Sequence, residues 1–377
     1  MAKALIELAT LVLLIGWVGY PCAMYAVARL RHRGTGVAAP GDLKASIVIA
    51  TRDEVGLVSQ RVANIESHRE ELQSLEIIVA VDHSGRIRAE RYREALGENV
   101  IVIEGDSPGG KAATLNAGVR AATNDIVIFA DTAQEFLPGA MRSLVEMVRQ
   151  PAIGAATGHL RSESNRRNVI LRVFWAYELW LRKMESSVDS LVGVTGAIYA
   201  VRTNLWEPLP AGLINDDMYV PLRVVQKGSR AVTCETAFAV DTRVLTPQEE
   251  FRRKVRTQTG ILQLCALCPS ILNPLRNRIW VQFVCHKLLR IVTPYAVLLG
   301  ALGVTLASPA QVVVLSMAVG VAVVVIARAA APRESLVARA LQQAGWTALI
   351  LSAPLVATVY AIKGNWNVWG ASGSSTE

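Results

Sequence analysis

Long apolar runs stand at both ends of the chain, and charged residues fill the middle. One run covers residues 5–28, and three more cover 291–307, 310–327 and 345–362. A helix rises about 1.5 Å per residue, so roughly 20 apolar residues cross the hydrocarbon core of a bilayer. Hydrophobic residues make up 52% of the chain and charged residues 19%. The charged residues are concentrated between the apolar runs, so the two kinds are segregated along the chain. The pattern predicts a polar domain flanked by about four transmembrane helices, one N-terminal and three C-terminal.

Arginines follow the first apolar run and separate the last two, at Arg29, Arg31, Arg33, Arg328, Arg333 and Arg339. Basic residues favour the cytoplasmic side of a membrane. Threading the chain from a cytoplasmic middle domain places all of these arginines on that side. A signal peptide is the rival interpretation of the first run, but the run is too long and its arginines follow it. We therefore predict a multi-pass protein of the cell inner (cytoplasmic) membrane.

The predicted organisation has six segments. They are an N-terminal transmembrane helix at 1–28, a basic cytoplasmic linker at 29–44, a cytoplasmic α/β domain at 45–260, interfacial helices at 261–290, three transmembrane helices at 291–362 and an external tail at 363–377. Within the domain, residues 169–184 have the aromatic and basic pattern of an interfacial amphipathic helix. Packing of those aromatic residues inside the domain is an equal alternative.

The formal net charge of +8 indicates an anionic partner. Nucleic acid, anionic lipid and a phosphorylated substrate all fit a basic excess. The sequence carries no motif typical of nucleic-acid binding, so we predict membrane lipids and phosphate rather than nucleic acid. The five cysteines are scattered, which indicates reduced thiols. Cys265 and Cys268 have the spacing of a metal pair, but a second pair is missing and buried apolar packing is the simpler interpretation.

The middle domain alternates short β-rich runs with helical stretches. Strands are predicted at 46–50, 76–81, 99–104 and 125–130, and helices at 55–72 and 111–122. This alternation predicts an α/β fold with a mostly parallel sheet covered by helices. Ligands of such sheets bind beyond the carboxyl ends of the strands.

Polar residues follow each of these strands. The four groups are Thr51-Arg52-Asp53-Glu54, Asp82-His83-Ser84-Gly85, Gly109-Gly110-Lys111 and Asp131-Thr132-Ala133. Any one of them is more simply explained as a helix cap or turn, but four in series at one edge predict a binding site. The phosphate-loop spacing and a GxGxxG motif are both missing from the sequence, which argues against an ATPase and a dinucleotide enzyme.

Together these residues resemble the family 2 glycosyltransferases, the inverting group with a GT-A fold, over about residues 45–260. The resemblance is strongest to membrane-bound members such as cellulose, hyaluronan and exopolysaccharide synthases. The string Gly109-Gly110-Lys111-Ala112-Ala113-Thr114-Leu115-Asn116-Ala117-Gly118 looks like the family's GKxxALNxG element. Thr195-Gly196-Ala197 looks like its acceptor-side segment, and Asn215-Asp216-Asp217 looks like its TED or GDD motif.

The resemblance implies a role for each matching residue. Thr51, Glu54 and Asp82 would contact the nucleotide, and Lys111 would lie near that pocket. Asp131 would be the first aspartate of the DxD motif and would hold a divalent metal, Mg²⁺ or Mn²⁺, on the donor diphosphate. Asp217 would be the catalytic base, with Asp216 beside it. Arg256 would approach the diphosphate, and Thr195, Gly196 and Arg253 would lie on the acceptor side.

Two departures from the family pattern matter. The second DxD carboxylate is replaced by Ala133, so the metal would depend on Asp131, the diphosphate and water, or on help from Glu135. The glutamine and tryptophan of the family's QxxRW motif are absent from Arg253-Lys254-Val255-Arg256-Thr257. Because that tryptophan would stack on a growing sugar chain, its absence favours transfer of one or a few sugars.

The resemblance implies a membrane-embedded inverting glycosyltransferase. It would move a sugar from a nucleoside-diphosphate donor, with UDP as the family-based guess, to a lipid-linked or saccharide acceptor. A processive polysaccharide synthase and a catalytically inactive membrane scaffold stay open as alternatives, and so does a homo-oligomer. A transporter is disfavoured, because the C-terminal apolar runs carry essentially no ionisable residues.

Overall fold

The computed structural model describes residues 1–30, 41–162, 169–310, 312 and 336–366. Eight strands form one sheet in the order β3-β2-β1-β4-β7-β6-β8-β5. Their bounds are β1 Lys44–Thr51, β2 Ser74–Val81, β3 Val100–Glu104, β4 Ile126–Ala130, β5 Glu135–Phe136, β6 Ile153–Ser162, β7 Ile198–Arg202 and β8 Arg230–Asp241.

The sheet is mixed, with four parallel and three antiparallel pairings between neighbouring strands. The predicted parallel half is confirmed, since β3, β2, β1 and β4 are parallel neighbours. Strand β7 then runs antiparallel to both β4 and β6, and β5 runs antiparallel to β8. Strands β6 and β8 are parallel to each other. The antiparallel pairings all involve strands beyond the four that the sequence pattern predicts, which is why the prediction missed them.

Ten helices are described, and most of them cover the two faces of this sheet. Their bounds are α1 Ala2–Leu30, α2 Val55–Glu66, α3 Ala89–Leu96, α4 Lys111–Ala121, α5 Ala140–Val148, α6 Val169–Val188, α7 Asp216–Gln226, α8 Pro247–Leu267, α9 Trp280–Ala307 and α10 Leu336–Ile362. Strand β1 is buried on both faces, with Ile47 and Ile49 on one side and Val48 on the other. Helices α2, α3 and α5 pack on the first face, and α4, α7 and α8 pack on the second. Each buried Ile or Val stabilises the fold by roughly 1.5–3 kcal/mol.

Helix α4 lies unusually close to the sheet. A Cβ on Gly118 would lie 2.4 Å from Val48 Cγ1, so only glycine permits this packing. Asn116, two residues closer to the helix start, exchanges two hydrogen bonds with the backbone of Leu209 at 2.8 and 3.0 Å. These contacts fix α4 so that Lys111 at its first turn lies at the carboxyl edge of the sheet.

Within the described residues, two helices are long and apolar enough to span a membrane, α1 and α9. The predicted span at 310–327 falls largely outside the described residues. The predicted span at 345–362 lies in α10, whose apolar part, Leu349–Ile362, is shorter. Four spans are therefore not confirmed. Helix α9 begins at Trp280, earlier than the apolar run at 291–307 predicts.

Helices α1 and α9 pack closely against each other. A Cβ on Gly303 would lie 2.7 Å from Ile6 Cγ1, and one on Gly300 would lie 3.3 Å from Ala9 Cβ. Small residues allow this close approach, as they do between membrane helices. The Trp17 indole also donates to Thr293 Oγ1 at 2.9 Å. The two apolar helices therefore form one closely packed unit.

Candidate active site

The carboxyl ends of β1, β2 and β4 place Thr51, Asp82 and Asp131 along one edge of the sheet. The first turn of α7 adds Asp216 and Asp217 from the far half of the chain. The structure thus gathers predicted site residues from separate stretches at one edge, where parallel sheets bind their ligands.

Lys111 joins two of these stretches. Its Nζ lies 3.3 Å from Asp131 Oδ1 and 3.6 Å from Asp216 Oδ2. Burial opposes the charged form, but the attraction of Asp131, Asp216 and Asp217 outweighs it and raises the pKa of Lys111. The lysine therefore stays protonated and neutralises a group of carboxylates that would otherwise repel one another.

Asp217 has the ionisation of a usable general base. Burial and the neighbouring Asp216 carboxylate raise its pKa to about 6, against the opposing charges of Lys111, Arg256 and Lys287. A carboxylate with a raised pKa accepts a proton more readily than an exposed aspartate, and it is still ionised near neutral pH. Asp216 is buried directly before it.

Helix α8 brings Arg256 to the same carboxylates. Burial lowers the pKa of Arg256, against the opposing attraction of Asp217, Asp216 and Asp131. The helix is held by the segment before α7, because Gln263 accepts from Ile214 N at 2.9 Å and donates to Gly212 O at 3.0 Å. The predicted diphosphate-side arginine therefore lies within electrostatic range of the predicted base.

The predicted acceptor-side segment packs against the start of α7. Val194 N donates to Asp217 O at 2.8 Å, and a Cβ on Gly196 would lie 3.7 Å from Asp217 Cβ. Thr195 Oγ1 accepts from Arg182 Nη1 at 3.2 Å. Thr195 and Gly196 are thus beside the predicted base. Arg253 instead pairs with Glu250 at 2.8 Å, and in the described part of the chain no contact joins it to Asp217.

The predicted nucleotide side is built around Asp82. Its Oδ1 accepts from Gly110 N at 2.8 Å and from Ser84 N at 3.0 Å, which ties β2 to the glycine loop before α4. Gly109 has φ +100°, and a Cβ there would lie 2.7 Å from Asp82 Oδ1, so this position requires glycine. Thr51 is buried and accepts from Asp53 N, whereas Glu54 is exposed at the start of α2.

Residues 46–202 match the family model described as glycosyl transferase family 2. The chain contains a glycosyltransferase family 2 domain. The protein is a glycosyltransferase, as the sequence resemblance implies. Its α/β domain is GT-A-like, with a mixed sheet.

A solved structure shares the fold of this glycosyltransferase. A mannosyltransferase from Pyrobaculum calidifontis, solved with GDP-Man and Mn²⁺, has a TM-score of 0.67 at 18% identity and covers 95% of this chain and 99% of its own. A glucosyl-3-phosphoglycerate synthase from Mycobacterium tuberculosis, solved with Mn²⁺, UDP and glucosyl-3-phosphoglycerate, has a TM-score of 0.42 at 16% identity and covers 60% and 80%. None of the curated proteins matches the chain at a significant level.

The glycosyltransferase site offers one carboxylate in the DxD position. No group of three His, Cys, Asp or Glu side chains that could hold a metal occurs within the described residues. Asp131 is partly exposed although it pairs with Lys111, and Thr132 donates to Asp53 Oδ2. Glu135 is exposed on β5. The site therefore fits a divalent ion whose remaining ligands are donor diphosphate and water oxygens.

Three further residues of the site were not identified as site residues by sequence reasoning. Arg182 donates to Gly193 O and Thr195 Oγ1, both at 3.2 Å. Tyr199 is fully buried with an unpaired hydroxyl, and burial with the nearby Asp216 and Asp217 raises its pKa well above the usual range. Lys254 adds a partly buried cation on α8, beside Arg253. The helical spacing of Glu178, Arg182 and Glu185 along an apolar, aromatic helix was the available signal for Arg182.

Proposed function

We propose that the protein is a membrane-embedded inverting glycosyltransferase. It moves a sugar from a nucleoside-diphosphate donor to a hydroxyl of a lipid-linked or saccharide acceptor at the cytoplasmic membrane face. The observation that carries this proposal is the shared edge at which Asp131, Asp216 and Asp217 meet the cations Lys111 and Arg256. The membrane-bound resemblance and the mannosyltransferase with GDP-Man and Mn²⁺ support the same donor chemistry.

The residues divide the reaction between them. Asp217 takes the proton of the acceptor hydroxyl, whose oxygen attacks the anomeric carbon as the bond to the diphosphate breaks. Arg256 and Lys111 stabilise the negative charge that develops on the leaving diphosphate. A divalent ion at Asp131, Mg²⁺ or Mn²⁺, would supply further charge neutralisation. The nucleotide binds along the edge lined by Thr51, Glu54 and Asp82. One displacement inverts the anomeric centre, so an α-linked donor gives a β product.

A buried polar network joins the two apolar helices to the catalytic domain. Tyr20 of α1 donates to Glu185 Oε1 of α6 at 2.5 Å, and His286 of α9 contacts the same oxygen at 2.7 Å. The opposite ring nitrogen of His286 lies 2.5 Å from Glu178 Oε1. Because α6 also supplies Arg182 to the site, these contacts hold the two apolar helices against the catalytic edge.

A donor screen tests the proposal. Purified protein is incubated with a panel of nucleoside-diphosphate sugars, with Mn²⁺ or Mg²⁺ and with membrane-lipid or saccharide acceptors, and released nucleoside diphosphate is measured. We expect one donor to turn over faster when its acceptor is present, and NMR of the product to show inversion. No release from any donor would contradict the proposal and favour an inactive scaffold. Product masses separate single transfer from processive synthesis.

A further inference from the structure

A group of cations lies where the two apolar helices meet the catalytic domain. We call Lys254 of α8 with Lys287 and Arg290 of α9 the junction cations. Lys254 Nζ lies 5.3 Å from the centre of the Phe174 ring and 5.5 Å from that of Trp175. Arg290 lies over the Phe174 ring as well, at 6.0 Å. Lys254 and Arg290 therefore lie over the same aromatic stretch of α6, and Lys287 contacts Glu178 of that helix.

The carboxylates nearby are shared among more cations than they can neutralise. Glu178 is contacted by His286, by Arg290 and by Lys287 at 3.7 Å. Arg290 keeps its Nε and Nη2 without a hydrogen bond. Lys254 lies 3.9 Å from Glu250, which already pairs with Arg253 at 2.8 Å. The group therefore has unused hydrogen-bond donors and an excess of positive charge.

Burial makes this excess costly unless an anion completes it. Burial lowers the pKa of Lys254, and the nearby Arg253 and Lys287 lower it further, against the attraction of Glu250 and Glu178. The side chains of Lys254 and Lys287 are nevertheless 20% and 21% exposed, so an anion can reach them from outside. A partly buried cation pair of this kind favours a phosphate, which accepts several charge-assisted hydrogen bonds.

The group is continuous with the acceptor side of the site. Lys287 is one of the three cations whose charge opposes the raised pKa of Asp217. Arg182, which bonds Thr195 beside Asp217, is in electrostatic range of Lys287. Lys287 therefore lies on the predicted acceptor side of the site, within electrostatic range of both Asp217 and Arg182.

The apolar surface of α1 and α9 begins at the same level. Leu11, Leu14 and Val18 of α1 are exposed, as are Leu298 and Leu302 of α9. Lysine and arginine side chains at the end of a membrane helix lie at the depth of lipid phosphates. The junction cations are thus placed at the boundary between apolar surface and the catalytic edge.

We propose that the acceptor is a membrane lipid whose phosphate group binds Lys254 and Lys287 and whose head-group hydroxyl reaches Asp217. This inference rests on the proposed glycosyl transfer and names its acceptor class. In the reaction the lipid hydroxyl oxygen bonds to the anomeric carbon and its proton passes to Asp217. The bond between that carbon and the nucleoside diphosphate breaks, and the lipid phosphate itself is unchanged.

Binding of short-chain lipids to the full-length protein in neutral detergent tests the inference without a donor. The probes are dioctanoyl phosphatidylinositol, an isoprenoid-diphosphate-linked sugar, the neutral glucosyl dioctanoylglycerol and inorganic phosphate. The variants are Lys254→Met and Lys287→Met, with charge-keeping Lys254→Arg and Lys287→Arg. The control is Lys183→Met, since Lys183 is an exposed lysine of α6 that pairs with Glu235 at 3.1 Å.

We expect one of the two phosphate-bearing lipids to bind at least about tenfold more tightly than the neutral glycolipid. Each Met variant removes most of that preference, each Arg variant keeps it, and the control is unchanged. The two lipid probes separate a phospholipid acceptor from a diphosphate-linked one.

Equal binding of the neutral glycolipid, unaltered by the Met variants, would overturn the inference. So would binding of inorganic phosphate with no preference for either lipid. If the Met variants fail to fold, loss of lipid preference in the folded Arg variants would overturn it equally. Failure of all donors to turn over would contradict the proposed function instead, and lipid binding would be unaffected by that result.

Discussion

Gly260 of α8 lies directly against Asn215, the residue that precedes α7. A Cβ on Gly260 would lie 2.4 Å from Asn215 Oδ1, and Asn215 Nδ2 donates to Thr257 O at 2.9 Å. The helix that carries Arg256 is thereby locked to the helix start that carries Asp216 and Asp217. This contact, together with the two hydrogen bonds of Gln263, sets the spacing between the predicted base and the predicted diphosphate-side cation.

Gly260→Ala should lower both stability and turnover. The added methyl group displaces the Asn215 amide, which costs about 1–3 kcal/mol and moves Arg256 away from the carboxylates. Thermal unfolding and steady-state kinetics measure the two effects. Gly56→Ala is the matched control, because a Cβ on Gly56 of α2 meets nothing within 4 Å and alanine favours a helix. Equal behaviour of the two variants would show that the contact does not position the site.

The pH dependence of turnover should report Asp217. Its pKa is raised to about 6, so the base becomes protonated and activity falls as the pH drops below that value. Asp216→Asn removes a charge that raises this pKa, so the acid limb should move to lower pH. Lys111→Met removes a charge that lowers it, so the limb should move to higher pH. Profiles of kcat against pH measure the shifts, and shifts in the same direction would contradict the assignment.

Turnover should require a divalent metal ion, and the site should bind that ion weakly. The site offers Asp131 as its DxD carboxylate, so a chelator should abolish turnover and Mn²⁺ or Mg²⁺ should restore it. Ala133→Asp adds a second oxygen ligand, which should lower the half-saturating metal concentration several-fold, whereas Asp131→Asn should raise it. Metal titrations of turnover provide the measurement. Full activity in the chelator would show that Lys111 and Arg256 neutralise the diphosphate without a metal.

Local patterns predicted the half of the sheet that binds the nucleotide in the proposed function. Runs such as Ile47-Val48-Ile49 are apolar on both faces, which identifies buried parallel strands, and the polar residues after them marked the edge. Strand β6 was missed because Gly154 and Gly158 interrupt its pattern. Those glycines are required by tertiary neighbours, since a Cβ on Gly158 would lie 2.6 Å from Ala237 O.

The start of α9 was missed for a different physical reason. In a hydropathy profile, the polar residues His286, Lys287 and Arg290 place the start of the apolar run after them, at residue 291. In the fold, Glu178 and Glu185 of α6 pair with these residues, so the helix continues through them. Partners about a hundred positions away in sequence cannot be read from a local pattern, and the same separation hid Arg182 from the predicted site.

The catalytic role of Asp217 tests the account most directly. Donor turnover and donor binding are measured for the wild type, for Asp217→Asn and for Asp125→Asn, an exposed aspartate just before β4. We expect Asp217→Asn to reduce turnover by about 10²–10⁴ while donor affinity changes little, and Asp125→Asn to match the wild type. Wild-type turnover by Asp217→Asn would contradict the assignment of the base and with it the proposed site.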